Sequence, residues 1–197
     1  MKLLETIRFE NGRFANLKLH QQRMNTSRKE LFNASPIDLF SLLQASTFES
    51  SPGLFKCRII YSQQIETIEF IPYQIPNIKS LKLVVNDSLD YSHKYLNRKL
   101  LEKLFSQKGT CDDIVIVKDG FVTDTSFANV LFFNGKNWLT PAKPLLKGTQ
   151  RQFLLENEQI GTADIHPSHL KYFQKMRLVN AMIRFEDEVD VEIENIV

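Results

Sequence analysis

Three dipeptides, Asn11-Gly12, Asp119-Gly120 and Asn134-Gly135, punctuate this chain between short runs rich in β-branched and aromatic residues. A two-residue turn of the kind that joins antiparallel strands needs φ > 0, which Asn, Asp and Gly adopt at little cost. The pattern therefore commits the chain to β-hairpins before any other property is considered. Asn11-Gly12 separates strands expected over Leu3–Arg8 and Arg13–Asn16. The other two turns punctuate a run of strands expected over Ile114–Val117, Phe121–Ser126, Val130–Phe133 and Trp138–Thr140.

Helical periodicity appears between these runs. Leu19–Phe32 reads as a helix, and Ser35-Pro36 as the N-cap and first position of a second one that ends at Ser51-Pro52-Gly53. Cys57–Tyr61 and Ile65–Ile71 read as a strand pair, and Leu81–Val85 as a further strand. Tyr91–Phe105 reads as a helix with Leu96, Leu100, Leu101, Leu104 and Phe105 as its apolar stripe. A short helix is expected over Gln150–Leu155 and a last strand over Arg177–Ile183. Pro72 and Pro76 bracket a polar stretch, Tyr73–Asn77, that reads as a linker between two lobes. The fold class expected is α+β, or mixed α/β.

Twenty-five basic and 23 acidic residues leave a net charge of +2, too small for a field that draws nucleic acid or membrane. Lys94, Arg98, Lys99 and Lys103 are interrupted by Glu102 and read as a solvated face, not a nucleic-acid helix. The start of the chain lacks an apolar signal region, and no apolar run approaches the roughly 18 residues of a membrane helix, so a soluble cytoplasmic protein is expected. Cys57 and Cys111 read as reduced thiols. His166 and His169 have a Pro between them and no third partner, so no metal is expected. No P-loop, G-x-G-x-x-G or G-x-S-x-G is present.

Several segments, taken in order, resemble one family. His20-Gln21-Gln22-Arg23-Met24 with Ser27 resembles an H-x-x-R-L-x-x-S helix. His93-Lys94-Tyr95-Leu96-Asn97-Arg98 resembles a K-x-L-N segment, and the stretch from Asp112 to Phe132 resembles D-x-x-G-x-V-T-E-x-x-x-x-N followed by apolar residues. Leu139-Thr140-Pro141, then Leu146-Lys147-Gly148-Thr149-Gln150-Arg151, and Val179-Asn180-Ala181-Met182 complete the series. The chain is similar in these to the class IV pyridoxal-phosphate (PLP) aminotransferases and 4-amino-4-deoxychorismate lyases. The resemblance departs at Asp124, where the family carries Glu, and at the N-terminus, where family members carry two further strands and this chain begins almost inside the segment Leu4-Glu5-Thr6-Ile7-Arg8.

That resemblance implies a two-lobed fold like that of D-amino-acid aminotransferase, with PLP between the lobes. Residues 1–74 would form a small α/β lobe, N-terminally shortened, and 75–197 a larger lobe with a barrel-like sheet carrying the cofactor lysine. It implies a homodimer acting on a small-molecule amine. The activity implied is that of an aminodeoxychorismate lyase, in folate biosynthesis. An amino-acid aminotransferase of the D-amino-acid or branched-chain type is the alternative, and a PLP-binding protein with little or no turnover a third.

The chemistry needs particular residue types. PLP is an electron sink for a carbanion next to nitrogen, so the protein must supply an amine, a phosphate grip and a partner for the ring nitrogen. Lys94 is the amine that the resemblance implies; alone it would read as a surface lysine like Lys99 and Lys103. On the expected helix it sits at the edge of the apolar stripe, where cationic neighbours such as Arg98 would lower its pKa and improve it as nucleophile and base. Arg23 would fork onto the phosphate, together with Gly148, Thr149 and Gln150 at a helix start and Asn180 on a strand. Asp124 would face the ring nitrogen. Thr6 matches a threonine of the lyases implicated in proton handling, and reads equally as a plain strand threonine.

Overall fold

The computed structural model describes residues 1–44 and 52–197. They pack as two units: Met1–Gln74 with His93–Asn97, and Ile75–Ser92 with Arg98–Val197. Among the described residues no helix is long and apolar enough to cross a membrane.

In the first unit, β1 (Leu3–Glu10) and β2 (Arg13–Phe14) flank the Asn11-Gly12 turn, whose φ values of 50° and 77° are left-handed as the dipeptide requires. Helix α1 (Leu17–Phe32) follows, then α2 (Leu39–Gln44), β3 (Leu54–Tyr61) and β4 (Ile65–Pro72). The sheet is antiparallel in the order β2-β1-β3-β4, with Leu3 opposite Tyr61 and Glu10 opposite Leu54. Strand alternation sends Leu3, Glu5, Ile7 and Phe9 to one side, all buried. The core there joins Leu3, Ile7 and Met24 to Leu39, Leu43, Cys57, Ile59 and Tyr61. Burial pushes the Cys57 thiol up to about 12, which makes it a packing residue.

Two expected elements differ. The second helix does not start at Ser35. Asn25 donates to the carbonyl of Ile37 and accepts from its amide, both at 2.9 Å, and Arg28 donates to the carbonyl of Ser35. These bonds hold the segment out of the helix, and Asp38 caps it instead, accepting from the amides of Phe40 and Ser41. Ser51, part of the expected helix stop, lies outside the described residues.

The helix expected over Tyr91–Phe105 is confined to α3, Lys99–Phe105. Its first part is drawn onto the end of β1: the amide of Leu4 donates to the carbonyl of Lys94 at 2.9 Å, that of Leu96 to Lys2 at 3.0 Å, and Leu3 bridges Tyr95 antiparallel. Tertiary strand pairing overrides helical periodicity here. Lys94 is therefore on an extended edge segment packed with the first unit, neither on a helix nor in the second lobe.

The second unit contains β5 (Leu81–Val85), α3, β6 (Asp113–Lys118), β7 (Phe121–Thr125), β8 (Asn129–Phe133), β9 (Trp138–Pro141), α4 (Thr149–Glu156), β10 (Gly161–Ala163), β11 (Lys175–Val179) and β12 (Asp190–Glu192). The strand path is β10-β9-β8-β7-β6-β5, and β11 pairs with both β8 and β12, so β8 is where the curled sheet branches. β5 and β6 are parallel, as are β9 and β10, with helices in the crossovers; the other pairs are antiparallel. Asp119 and Gly120 turn β6 into β7 with φ of 51° and 80°. The core centres on Val130, Phe132, Met176, Leu178 and Ile183, each fully buried. The last long strand ends at Val179 and not at Ile183, because the Asn180 side chain accepts from the amides of Met182 and Ile183 and turns the chain.

Truncating Phe132, at 0% exposure, removes a ring from this branch point, so Phe132→Ala should lower unfolding free energy in urea by about 3–5 kcal/mol. Val85→Ala, at a position 69% exposed, should change it by less than about 0.5 kcal/mol.

Candidate active site

The first unit builds a polar cluster on a buried carboxylate. Glu5 occupies an inward position of β1 and is 0% exposed. An isolated ionised carboxylate cannot be held there at acceptable cost. Two residues of α1, three apart and so on one helical face, meet it. Arg23 donates from Nε to Oε1 at 2.9 Å and from Nη2 to Oε2 at 2.5 Å, and His20 Nδ1 lies 2.6 Å from Oε2. Burial by itself would raise the Glu5 carboxyl. The charge of Arg23 and the hydrogen bonds from His20 and Arg23 outweigh it and bring the carboxyl down to about 2. Burial depresses His20, whose bond to Glu5 opposes the shift only in part, so the neutral ring donates through Nδ1 while Arg23 carries the positive charge.

Lys94 belongs to this unit, half-buried, and its charge is felt at His20. Arg23, Glu5, His20 and Lys94 thus form one polar cluster, and the fork expected on a phosphate is made to Glu5 instead, because a fully buried carboxylate must be met by a cation. Thr6 does not join it. It is half-buried on the other face of β1, opposite Arg58 in the β1–β3 register. Arg8 shares that face and pairs with Glu10 at 3.2 Å.

The second unit holds a different carboxylate. Asp124 on β7 is 5% exposed. Its Oδ1 accepts from Asn129 Nδ2 at 2.7 Å and its Oδ2 from the amide of Leu146 at 3.0 Å. Asn129 Nδ2 also donates to the carbonyl of Leu146 at 2.8 Å, which locks the segment leading to α4. Burial raises the Asp124 carboxyl to about 6, with the amide donors and the charge of Arg151 opposing the rise in part. Gly148 then follows so closely that an added Cβ would lie 2.0 Å from Asn129 Oδ1. That contact with a buried, doubly bonded amide requires glycine whatever the local φ.

Gly148 is the N-cap of α4, whose first residues Thr149, Gln150 and Arg151 are 3–5% exposed. Arg151 is turned inward, donating to Thr140 Oγ1 at 3.2 Å and to the carbonyl of Pro141 at 2.9 Å. Asn180 donates through Nδ2 to the carbonyl of Phe127 at 3.3 Å, and Arg98 donates to that of Ser126 at 2.6 Å. The turn between β7 and β8 is thereby held from two sides. The structure gives Asn180 a turn-shaping role that its motif did not disclose.

Glu5 and His20 are the site residues that sequence reasoning passed over. The signal was present in Glu5, a charged residue at an inward position of an alternating strand, and in His20 three residues before Arg23.

Comparison with known proteins identifies the family. The profile of the amino-transferase class IV family matches residues 2–185. An uncharacterized protein of Haemophilus influenzae is 39% identical over 183 residues, covering 91% of this chain and 97% of that one. A protein of Schizosaccharomyces pombe provisionally named an aminodeoxychorismate lyase is 24% identical, covering 91% of this chain and 85% of that one. Among solved structures, one from Haemophilus somnus, provisionally named a 4-amino-4-deoxychorismate lyase, superposes with a TM-score of 0.89 at 38% identity over 93% of this chain and 97% of its own. A Mesorhizobium loti structure, provisionally named an amino-acid aminotransferase, has a TM-score of 0.82 at 22% identity over 100% of this chain and 99% of its own, and shows the same fold. The chain belongs to the amino-transferase class IV family, whose enzymes use PLP.

The raised carboxyl of Asp124 has a signed consequence. Its folded-state value, about 6, lies above the roughly 3.9 of an unfolded Asp, so the native state holds the extra proton between them. Unfolding free energy should therefore fall as pH rises from about 4 to about 6, and Asp124→Asn should remove that slope in denaturant titrations across the window.

Proposed function

We propose that this chain is a PLP-dependent lyase that converts 4-amino-4-deoxychorismate to 4-aminobenzoate and pyruvate, working as a homodimer. The observation that carries the reading is the Lys94 segment, drawn out of its helix onto the end of β1 in the same unit as the Arg23 fork. The likeness at 38% identity to the H. somnus structure, with its provisional lyase name, supports the choice of reaction.

The donor set fits the cofactor. In the first unit the Arg23 fork grips Glu5, which holds the guanidinium in a fixed plane as a cation for a phosphate. In the second unit, taken by itself, the start of α4 places the positive end of a helix at a closely packed glycine, which suits an anion. Asp124 has its plane set by N–H donors from Asn129, Leu146 and Leu145, and is the carboxylate that would face a protonated ring nitrogen. When bound, PLP supplies the electron sink for a carbanion next to nitrogen.

The chain's own residues do the rest. Lys94 Nζ would hold the cofactor and would serve as the base that takes the proton from the amine-bearing carbon. Arg23, its plane held by Glu5, would steady the phosphate while that proton moves. The C–O bond to the enolpyruvyl group would then break as the ring becomes aromatic. The proton held by Lys94 would pass to the methylene carbon of the departing group, which leaves as pyruvate.

Borohydride reduction of PLP-loaded protein, followed by peptide mass spectrometry, should place the adduct on Lys94, and Lys94→Ala should abolish it. The same protein should release pyruvate from 4-amino-4-deoxychorismate with no keto-acid acceptor. A keto-acid requirement would instead mark transamination, and an adduct without either turnover would mark a binding protein.

A further inference from the structure

One polar stripe on α1 is only partly used by the cluster just described. His20, Arg23, Ser27 and Glu30 recur at helical spacing on one side of the helix. The first two meet Glu5. The next two meet His93, the residue before Lys94. His93 Nδ1 lies 3.1 Å from Ser27 Oγ, and its Nε2 lies 3.7 Å from Glu30 Oε2. The tautomer that satisfies both contacts has the Ser27 hydroxyl donating to Nδ1 and Nε2–H facing the carboxylate.

These two contacts are unequal. Glu30 is 57% exposed, so its attraction is screened and contributes little. Ser27 is 4% exposed and lies beside the buried Tyr61 hydroxyl, so its end of the bond to His93 is shielded from water and held in one place. Tyr95 packs edge-on to the His93 ring with centroids 5.9 Å apart, which limits its rotation.

The main chain of the Lys94 segment is tied to β1 through the Leu4 and Leu96 amides, and those bonds fix it along the strand. They do not fix its distance from α1. The His93–Ser27 bond does, because Ser27 stands about one helical turn, a rise of about 6 Å, from Arg23. We propose that His93 is a positioning residue which, through Ser27, sets the span between the lysine amine and the Arg23 fork, and so matches this unit to a ligand carrying an aldehyde and a phosphate at fixed separation. The proposal rests on the reading of Lys94 as the cofactor lysine.

The test compares two ligands. PLP engages both ends of the span, whereas pyridoxal, without the phosphate, engages only the amine. His93→Ala should weaken PLP binding, followed by absorbance, about tenfold, the equivalent of one hydrogen bond. It should leave pyridoxal binding within about twofold, since an energy difference that small is below one such bond. Ser27→Ala should behave like His93→Ala, and His93→Asn, whose amide can reach Ser27 from the Nδ1 position, should restore most of the loss. If His93→Ala weakens both ligands equally, or neither, or if His93→Asn fails to rescue while the apoprotein melts as the wild type does, the positioning role is wrong. If wild-type protein forms no reducible adduct on Lys94, it is the reading of the lysine that fails.

Discussion

A glutamate with no exposed surface holds the first unit together. β1 must place Glu5 inward because its neighbours at alternate positions, Leu3 and Ile7, are core residues. A one-residue slip would free the carboxylate and expose both apolar side chains. The carboxylate therefore stays, and α1 answers it with Arg23 and His20. The attraction does more than offset desolvation. It fixes the guanidinium in its plane through two parallel bonds, and ties β1 to α1 at one depth and rotation. The end of β1 beside Glu5 is also the edge that captures the Lys94 segment. Position of strand, helix, arginine and lysine thus descends from one ion pair.

Glu5 and Asp124, two of the buried carboxylates among the described residues, show how environment divides like groups. Glu5 has a cation in contact and is held ionised at low pH. Asp124 has amide donors in contact and Arg151 acting only through its field, so burial dominates and its proton is retained to about 6. A carboxyl poised there suits a partnership with a protonated nitrogen, where the shared proton can sit on either side. Asp124 is one methylene shorter than Glu, and Asn129 and Leu146 engage it from within the fold, so it belongs as much to the β7–β8 framework as to any ligand.

The hairpins and most strands were legible in the sequence because their turns carry the residues the backbone needs. Asn11-Gly12 and Asp119-Gly120 fold as their dipeptides require, and Leu81–Val85 forms the strand its β-branched run implies. The family was legible because its motifs recur in order. The conformation at Lys94 was not. Its neighbours Leu96, Leu100 and Leu101 fall at helical spacing, and only long-range pairing with Lys2 and Leu4 overrules that local pattern. β10 and β12 escaped notice because three residues carry too little periodicity to register. Asn180 was placed in a family motif, but its side-chain bonds to Met182, Ile183 and Phe127 depend on a turn that no local pattern announces.

If the buried ion pair organises the unit as described, Glu5 must be charged under all ordinary conditions. Carboxyl-carbon NMR of protein labelled at glutamate, with Glu5 assigned by its Gln variant, reads this directly as pH is lowered. The account predicts that the Glu5 resonance holds its ionised shift through the range in which exposed glutamates titrate, with a midpoint near 2. A midpoint at the usual value of about 4.3 would contradict it, because a carboxylate so easily protonated could not be what orients Arg23.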